Sequence, residues 1–360
     1  MDYYELMHRD VVVAVFIIDD TANVQVSFDS EWEQHLPLAV SDRKTFIKWL
    51  KNRAIPVTRH GIDKITNDTF QFMLANLGLS LTDNYWIRRS DMECTWDAVN
   101  FYRNSFQSSV MLDNLESINL VGQTNFTPSA SLVGDLKKKW ILAGDTRILV
   151  KGNYTDTALQ AISEVIASKI YDSLGVIPFS NYQFIPLVSN GKTILGCGTP
   201  NFTDEDLEFV PAIDIVNSVS KRNDESYYQM FVRLCEERGI TGVKHFLDVM
   251  LSVDFLIANT DRHLNNFGIL RNPVTLEWVS MAPVFDSGNS LFYKSGRDAT
   301  LPSGKSLLQT EITSFFPTMI RQMSVVDTSV LDVSKLPSIH VLDRLFEMTM
   351  HSQNEMWNND

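Results

Sequence analysis

The sequence predicts an α+β fold in which two lobes follow an N-terminal α/β unit. Strand-type runs surround a single helix in the first lobe, and apolar residues at helical spacing dominate the second. A polar break at Gly122–Ser131 supports the division between the first unit and the lobes. The predicted boundaries place an accessory unit at residues 1–110, a small strand-rich lobe at 111–202 and a larger helical lobe at 203–360.

The N-terminal unit contains two apolar strand patterns, Val11–Ile18 and Val24–Phe28, and two helical stretches, Arg43–Arg53 and Thr66–Leu77. A dense aromatic stripe usually belongs to a core, which is the role predicted for Trp32, Trp49, Trp86, Trp96, Phe101 and Phe106. The unit holds no cluster of His, Asp and Glu at ligand spacing. We therefore expect it to dock a substrate or a partner and to leave the chemistry to the lobes.

The strand-rich lobe is predicted to place one helix between two sets of strands. The strands are Trp140–Leu142, Arg147–Lys151, Tyr182–Leu187 and Thr193–Cys197. Asp156 or Thr157 can cap the helix, and Gly175 with Pro178 ends it after Leu174.

Composition and charge restrict the class of protein. Hydrophobic residues make up 44% of the chain and charged residues 21%, as in an ordinary water-soluble protein. The net charge of -13 weighs against direct nucleic-acid binding. Cys94, Cys197 and Cys235 stand far apart, so neither a zinc site nor a disulfide framework is expected. The Val11–Ile18 run is too short to span a membrane, and we expect a cytoplasmic protein without a membrane partner.

The segment from Asp261 to Asn266 is the strongest candidate for a catalytic loop. Phosphoryl transfer from ATP needs a carboxylate near the acceptor hydroxyl and oxygen ligands for Mg²⁺, and a carboxylate-x4-Asn loop supplies one of each. A predicted β-hairpin, Phe267–Met281, follows Asn266. Since a hairpin returns the chain to its starting level, Asn266 and Asp286 are expected side by side as metal ligands.

Upstream, Lys151 ends a predicted strand and Glu164 lies on the following helix. A lysine for the nucleotide phosphates, held by a helix glutamate, completes the residue types needed for phosphoryl transfer. His263 has three interpretations: a general base, a ring stacked under the loop, or a structural histidine. The structural role is favoured because Asp261 already supplies a base.

In these residues the chain resembles the HipA-like serine/threonine kinases. The resemblance covers roughly residues 120–295 and is carried by five segments: Asp261–Asn266, Ala282–Gly288, Leu149–Gly152, Glu164–Ser168, and Thr127–Pro128 with Leu136–Trp140. The last segment matches a variant group with Ser/Thr-Pro ahead of Leu-Lys-Lys-x-Trp. The resemblance implies a two-lobed protein-kinase-like fold that uses ATP and Mg²⁺.

The resemblance also implies residue roles and partners. Asp261 would be the catalytic aspartate, Asn266 and Asp286 would bind Mg²⁺, and Lys151 would contact the phosphates. The connection from Cys197 to Phe202 would hold adenine. Further nucleotide contacts are expected from Ser129, Ser131, Lys137 and His263, with Ser129 and Ser131 as self-modification sites in a mobile loop. The expected substrate is a protein with a Ser/Thr acceptor, and the family allows for a cognate antitoxin-like partner.

Two alternatives stay open. Phosphoinositide kinases share Asp-Arg-His-x-x-Asn, although the acidic composition and the lack of a polybasic helix weigh against a lipid substrate. A nucleotide-binding pseudokinase could instead serve as a regulatory module, although every expected catalytic residue type is present. The chain departs from the usual kinase pattern in one respect: Gly134 is the only glycine in the Thr127–Lys137 loop, so no Gly-x-Gly-x-x-Gly covers the phosphates.

Overall fold

The computed structural model describes residues 2–19, 23–56, 58, 68–106, 126–132, 134, 136–153, 158–189, 192–291 and 319–338. Helices and antiparallel strands are mixed in this part of the chain, which confirms the α+β expectation at that level. Two units are present: Met1–Leu149 with Thr203–Val210 and Leu270–Glu277, and Val150–Phe202 with Pro211–Ile269 and Trp278–Asp360. The two-lobed kinase layout and the boundaries at 110 and 202 stay predictions.

The strands in chain order are β1 Asp2–His8, β2 Val11–Ile18, β3 Val24–Phe28, β4 Tyr85–Arg89, β5 Lys138–Ala143, β6 Thr146–Lys151, β7 Gln183–Ser189, β8 Lys192–Pro200, β9 Glu208–Pro211, β10 Gly268–Arg271 and β11 Trp278–Met281. The helices are α1 Arg43–Arg53, α2 Thr69–Ala75, α3 Trp96–Val99, α4 Leu159–Leu174, α5 Ala212–Asn217, α6 Tyr227–Glu237, α7 Val243–Leu256 and α8 Met319–Met323. Among the residues described, no helix combines the length and apolar character needed to cross a bilayer.

The first unit is built on an antiparallel sheet with the strand order β3-β2-β1-β4. Strand β1 is buried on both faces, because Leu6 packs in one apolar cluster with Phe46 and Met7 packs in another with Trp86. The pairing of β1 with β2 shifts register between Leu6 and Met7, which marks a β-bulge. In β2, Val13, Ala14 and Phe16 lie in the first of these clusters and Val12 packs against the second, whereas Val15 is exposed.

The predicted aromatic core is confirmed in the main. Trp86, Trp96, Phe101 and Phe106 are buried. Trp32 and Trp49 are half-buried and pack against the cluster that contains Phe46.

A buried polar network joins distant segments within the first unit. The Glu208 carboxylate lies 2.6 Å from Arg271 Nη2 and 3.2 Å from His8 Nε2. Arg271 also donates to Tyr85 Oη at 2.9 Å, and His8 Nδ1 lies 3.0 Å from His35 Nδ1. Burial and the neighbouring His8 and Arg271 lower the pKa of His35, which favours a neutral His35 ring. These contacts satisfy groups that would be costly to bury alone.

The network predicts a specific acid sensitivity. Burial tends to raise the pKa of Glu208, but His8 and Arg271 outweigh it and lower that pKa to about 2. The ordinary value is 4.5, so the stabilisation is complete above that pH and is lost as the pH falls through about 2. The difference corresponds to on the order of 3 kcal/mol in the free energy of unfolding.

Urea unfolding of wild type and of Glu208→Gln across this acid range tests the prediction. The variant should lose this part of the pH dependence, whereas replacement of the exposed Glu236 by Gln should keep it. Parallel pH curves for wild type and Glu208→Gln would show that Glu208 has an ordinary pKa.

In the second unit, helix α4 is buried on nearly every side, and its serines fix it to neighbouring backbone. Ser168 Oγ donates to the Ser180 carbonyl at 3.0 Å, and Ser163 Oγ donates to the Ser290 carbonyl at 3.2 Å. The helix ends, as predicted, at Gly175, whose φ of 64° lies in the left-handed region that favours glycine. Two different sides of α4 are therefore tied to neighbouring backbone.

The predicted capping residues of α4 cannot be located at its start. The helix begins at Leu159 with Ala158 at the N-cap position, and no side chain caps it there. Asp156 and Thr157 lie outside the described residues. Instead, Asn153 Oδ1 accepts a hydrogen bond from the Ala161 N–H at 3.0 Å, which satisfies a donor of the first helical turn from the preceding loop.

Candidate active site

Lys151, Glu164 and Asp286 form a triad of charges in the second unit. Lys151 ends β6, and β8 approaches it so closely that a Cβ at Gly196 would lie 2.6 Å from the Lys151 carbonyl oxygen. Lys151 Nζ lies 2.6 Å from Glu164 Oε1 and 2.6 Å from Asp286 Oδ1. The predicted ion pair between Lys151 and Glu164 is therefore confirmed, and Asp286 adds a second carboxylate that the sequence does not predict.

The triad keeps Lys151 charged although it is buried. Burial alone would lower the pKa of Lys151, but Asp286 and Glu164 outweigh it and raise the pKa well above its ordinary value. The Tyr182 ring adds a cation–π contact, with Nζ 4.8 Å from its centroid. Lys151 and Glu164 side chains are only 3% and 2% exposed, whereas Asp286 is 29% exposed. Among these three side chains, solvent therefore reaches mainly the carboxylate of Asp286.

Arg262 organises the loop around Asp261. Its buried guanidinium donates to both Asp254 carboxylate oxygens, at 2.8 and 3.2 Å. It also donates to the Asn266 carbonyl at 2.8 Å, to the Phe285 carbonyl, and to Ser287 Oγ at 3.0 Å. One side chain thus links the Asp261–Asn266 segment to the residues on either side of Asp286, a use suited to the rigid guanidinium fork.

Asp261 is held at the surface of this framework. Its backbone N–H donates to Asn259 Oδ1 at 3.0 Å, and its Oδ2 accepts from Asn289 Nδ2 at 2.7 Å. The side chain is 36% exposed. Burial of the rest of this side chain is the main cause that raises the pKa of Asp261, and the nearby Asp286 carboxylate raises it further. His263 and Asn289 offset part of that rise. A raised pKa makes a carboxylate a better proton acceptor.

The His263 backbone N–H donates to the Asp261 carbonyl at 2.8 Å, but the His263 ring makes no hydrogen bond to the Asp261 carboxylate. The distance from its Nε2 to Asp261 Oδ1 is 3.9 Å, and its Nδ1 accepts a hydrogen bond from the Asn265 N–H at 3.2 Å. This local bond fits the structural interpretation, and a nucleotide contact for His263 stays a prediction.

The two predicted metal ligands, Asn266 and Asp286, flank the β10–β11 hairpin in the chain. Strands β10 and β11 are neighbours, and the Ala282 N–H donates to the Gly268 carbonyl at 3.0 Å, so the predicted hairpin is confirmed. Asn266 Nδ2 donates to the Asp261 carbonyl at 2.8 Å. Asp286 has a φ of 60°, a left-handed conformation that non-glycine residues rarely adopt and that often marks functional sites. Amide and carboxylate oxygens suit Mg²⁺, so the donor set fits the predicted metal, whose binding stays a prediction.

The residues predicted to hold adenine lie in the same unit. Cys197 is buried in β8, opposite Phe184 of β7. Burial raises the pKa of its thiol, which favours the uncharged form. The Phe202 ring lies 5.4 Å from the Phe285 ring, one residue before Asp286. Adenine binding by the connection from Cys197 to Phe202 stays a prediction.

Ser129, Ser131 and Lys137 belong to the first unit. The serines lie in the 3-10 turn Pro128–Ser131 and are buried, with Ser129 Oγ accepting from the Trp140 N–H at 3.2 Å. The turn packs both serine side chains inward, and their self-modification in a mobile loop stays a prediction. Lys137 is half-buried. Nucleotide contacts by these three residues stay predictions.

Sequence reasoning misses Asp254, Ser287 and Asn289. A carboxylate within the apolar pattern of α7 is a detectable signal for Asp254, since charged residues are rarely buried without a partner. Ser287 donates its backbone N–H to Glu164 Oε2 at 2.9 Å, a contact that no side-chain pattern reveals. Asn289 likewise has no spacing that connects it with Asp261.

Comparisons with known proteins do not assign the chain to a family. No protein-family model matches the chain, and no curated protein matches it. The chain is similar to the solved structure of the Helicobacter pylori proinflammatory kinase CtkA, with 22% sequence identity and a TM-score of 0.34. The match covers 44% of this chain and 56% of that chain, so the chain spans about half the length of the kinase it matches. A similarity this weak does not establish a shared fold.

Proposed function

We propose that this chain is an ATP- and Mg²⁺-dependent phosphotransferase, specifically a HipA-like serine/threonine protein kinase. The observation that carries the proposal is the buried Lys151, placed between Glu164 and the partly exposed Asp286. A desolvated cation beside an accessible carboxylate suits a phosphate chain with its bound metal ion, because the two charges complement those of a metal–nucleotide complex.

The proposed roles follow from the contacts. Lys151 would bind the nucleotide phosphates, and Glu164 would hold it in position. Asn266 and Asp286 would hold Mg²⁺, which would neutralise phosphate charge. Asp261 would accept the proton of the acceptor hydroxyl, for which its raised pKa suits it.

The acceptor class is part of the proposal. A Ser or Thr hydroxyl on a protein fits an exposed carboxylate that acts as base, and the sequence resemblance points the same way. Self-phosphorylation at Ser129 or Ser131 would require the Pro128–Ser131 turn to open, since both hydroxyls are buried.

Substitution of the charge pair tests the function. Lys151→Met should lower nucleotide affinity and reduce turnover by roughly 10²-fold, the loss typical of one preorganised charge. Glu164→Gln should lower turnover more than affinity, because the cation remains but is less well positioned. Lys169→Met, at an exposed site on the same helix, is the matched control.

The measurements are ATP binding by calorimetry and phosphate transfer to a panel of protein and lipid acceptors, with intact mass reporting self-phosphorylation. Thermal unfolding of each variant shows whether it is folded. Wild-type binding without any transfer would favour a pseudokinase, and lipid transfer would favour the phosphoinositide-type alternative. Unchanged kinetics in both folded variants would refute the role of the charge pair.

A further inference from the structure

Residues 287–291 follow the predicted metal ligand Asp286 and lie along the catalytic-loop segment. The Leu291 N–H donates to the Ile257 carbonyl at 2.8 Å, and the Thr260 N–H donates to the Asn289 carbonyl at 3.1 Å. Thr260 Oγ1 donates to the same Asn289 carbonyl at 3.2 Å. On its other side the segment is fixed to α4 through Ser287 and Ser290. Asn289 therefore stands on backbone that is held from both sides.

The Asn289 side chain uses this position to engage one oxygen of Asp261. Its Nδ2 donates to Oδ2 at 2.7 Å, while Oδ1 lies 3.9 Å from His263 Nε2, beyond hydrogen-bond distance. The hydrogen bond to Oδ2 restrains the rotation of the carboxylate plane. Oδ1 can then accept a hydrogen bond from a second donor. The 36% exposure of the Asp261 side chain lets such a donor approach.

We propose that Asn289 is a positioning residue that orients the Asp261 carboxylate so that Oδ1 faces the acceptor hydroxyl. The inference rests on the proposed phosphotransferase function. An amide suits this role better than a charged group. A lysine would hold the carboxylate so strongly that it would weaken the base, and an aspartate would repel it. Removing the amide would let the carboxylate rotate, and a base that is misplaced transfers a proton slowly.

A kinetic double-mutant cycle tests this inference. Asn289→Ala should lower kcat by roughly 10- to 10²-fold with the KM for ATP unchanged, because nucleotide contacts are not altered. Asn289→Asp should lose more, since two carboxylates would then face each other, whereas Asn289→Ser should retain part of the rate through its hydroxyl donor. Asn223→Ala, at an exposed site outside the catalytic loop, should match wild type.

The decisive result is the behaviour in a background that lacks the base. If Asn289 acts through Asp261, Asn289→Ala should cause no further loss of kcat in Asp261→Asn. A residue that only supports the fold would lower kcat by a similar factor in both backgrounds. Equal losses in the two backgrounds would therefore overturn the proposal.

A second measurement does not depend on turnover. The side-chain amide protons of Asn289, followed by NMR, should be protected from exchange in wild type and should lose this protection in Asp261→Ala. Protection that is unchanged by Asp261→Ala would overturn the positioning role whatever the kinetics. Protection that depends on Asp261, in a protein that transfers no phosphate to any acceptor, would support the contact and overturn the proposed function, and with it the catalytic use of the contact.

Discussion

Replacement of Asp286 by Asn should abolish both Mg²⁺-dependent ATP binding and phosphate transfer, whereas Asp261→Asn should leave nucleotide binding intact. Asp286 is the partly exposed carboxylate beside Lys151, so its loss leaves the metal ion poorly coordinated and the phosphate charge poorly neutralised. Asp261 instead lies in the loop stabilised by Arg262, where its loss removes a base. The expected cost of losing that base is on the order of 10² to 10⁴ in rate.

Calorimetric ATP titrations with and without Mg²⁺, together with a transfer assay, separate the two roles. Asp286→Asn should still fold, because Lys151 keeps its pair with Glu164. Asp172→Asn, an exposed aspartate on α4, is the control for loss of one negative charge. Loss of Mg²⁺-ATP binding in Asp261→Asn, with normal binding and transfer in Asp286→Asn, would reverse the assignment. Equal loss of transfer in both variants with normal binding would refute the division of roles.

Local patterns in the sequence predict several elements of the fold and one contact of the site. Strands β2 and β3 and helix α1 have the predicted bounds, because apolar periodicity is a local signal that tertiary contacts do not override here. The pair of Lys151 and Glu164 joins the end of a strand to the next helix, and the two residues are only 13 positions apart in the chain. Such a short separation in the chain restricts how far apart the two side chains can lie.

The contacts that fix the catalytic geometry come from longer separations. Lys151 meets Asp286 across 135 positions, so this contact has no spacing that a local pattern could reveal. Asn289 contacts Asp261 because backbone hydrogen bonds bring residues 287–291 beside the loop. The inward packing of Ser129 and Ser131 likewise depends on tertiary structure.

Removal of Asp254 from its ion pair with Arg262 should strongly destabilise the second unit. The two side chains are 1% and 2% exposed, and Arg262 satisfies two carbonyl groups as well. Asp254→Ala would leave the guanidinium charge buried without its partner. Removing one member of such a pair typically costs about 3–5 kcal/mol in the free energy of unfolding.

Urea unfolding of Asp254→Ala beside Asp91→Ala gives a matched comparison. Asp91 pairs with Arg89 at 2.9 Å, but those side chains are 69% and 57% exposed, so its loss should cost less than about 1 kcal/mol. Asp254→Leu combined with Arg262→Met should recover part of the stability, because no unpaired charge remains buried. The same double variant should stay inactive, since the Asn266 and Phe285 carbonyls lose the donor that holds the loop and the segment before Asp286 together. If Asp254→Ala costs no more than Asp91→Ala, Arg262 does not depend on Asp254, and the loop is held by the carbonyl contacts alone.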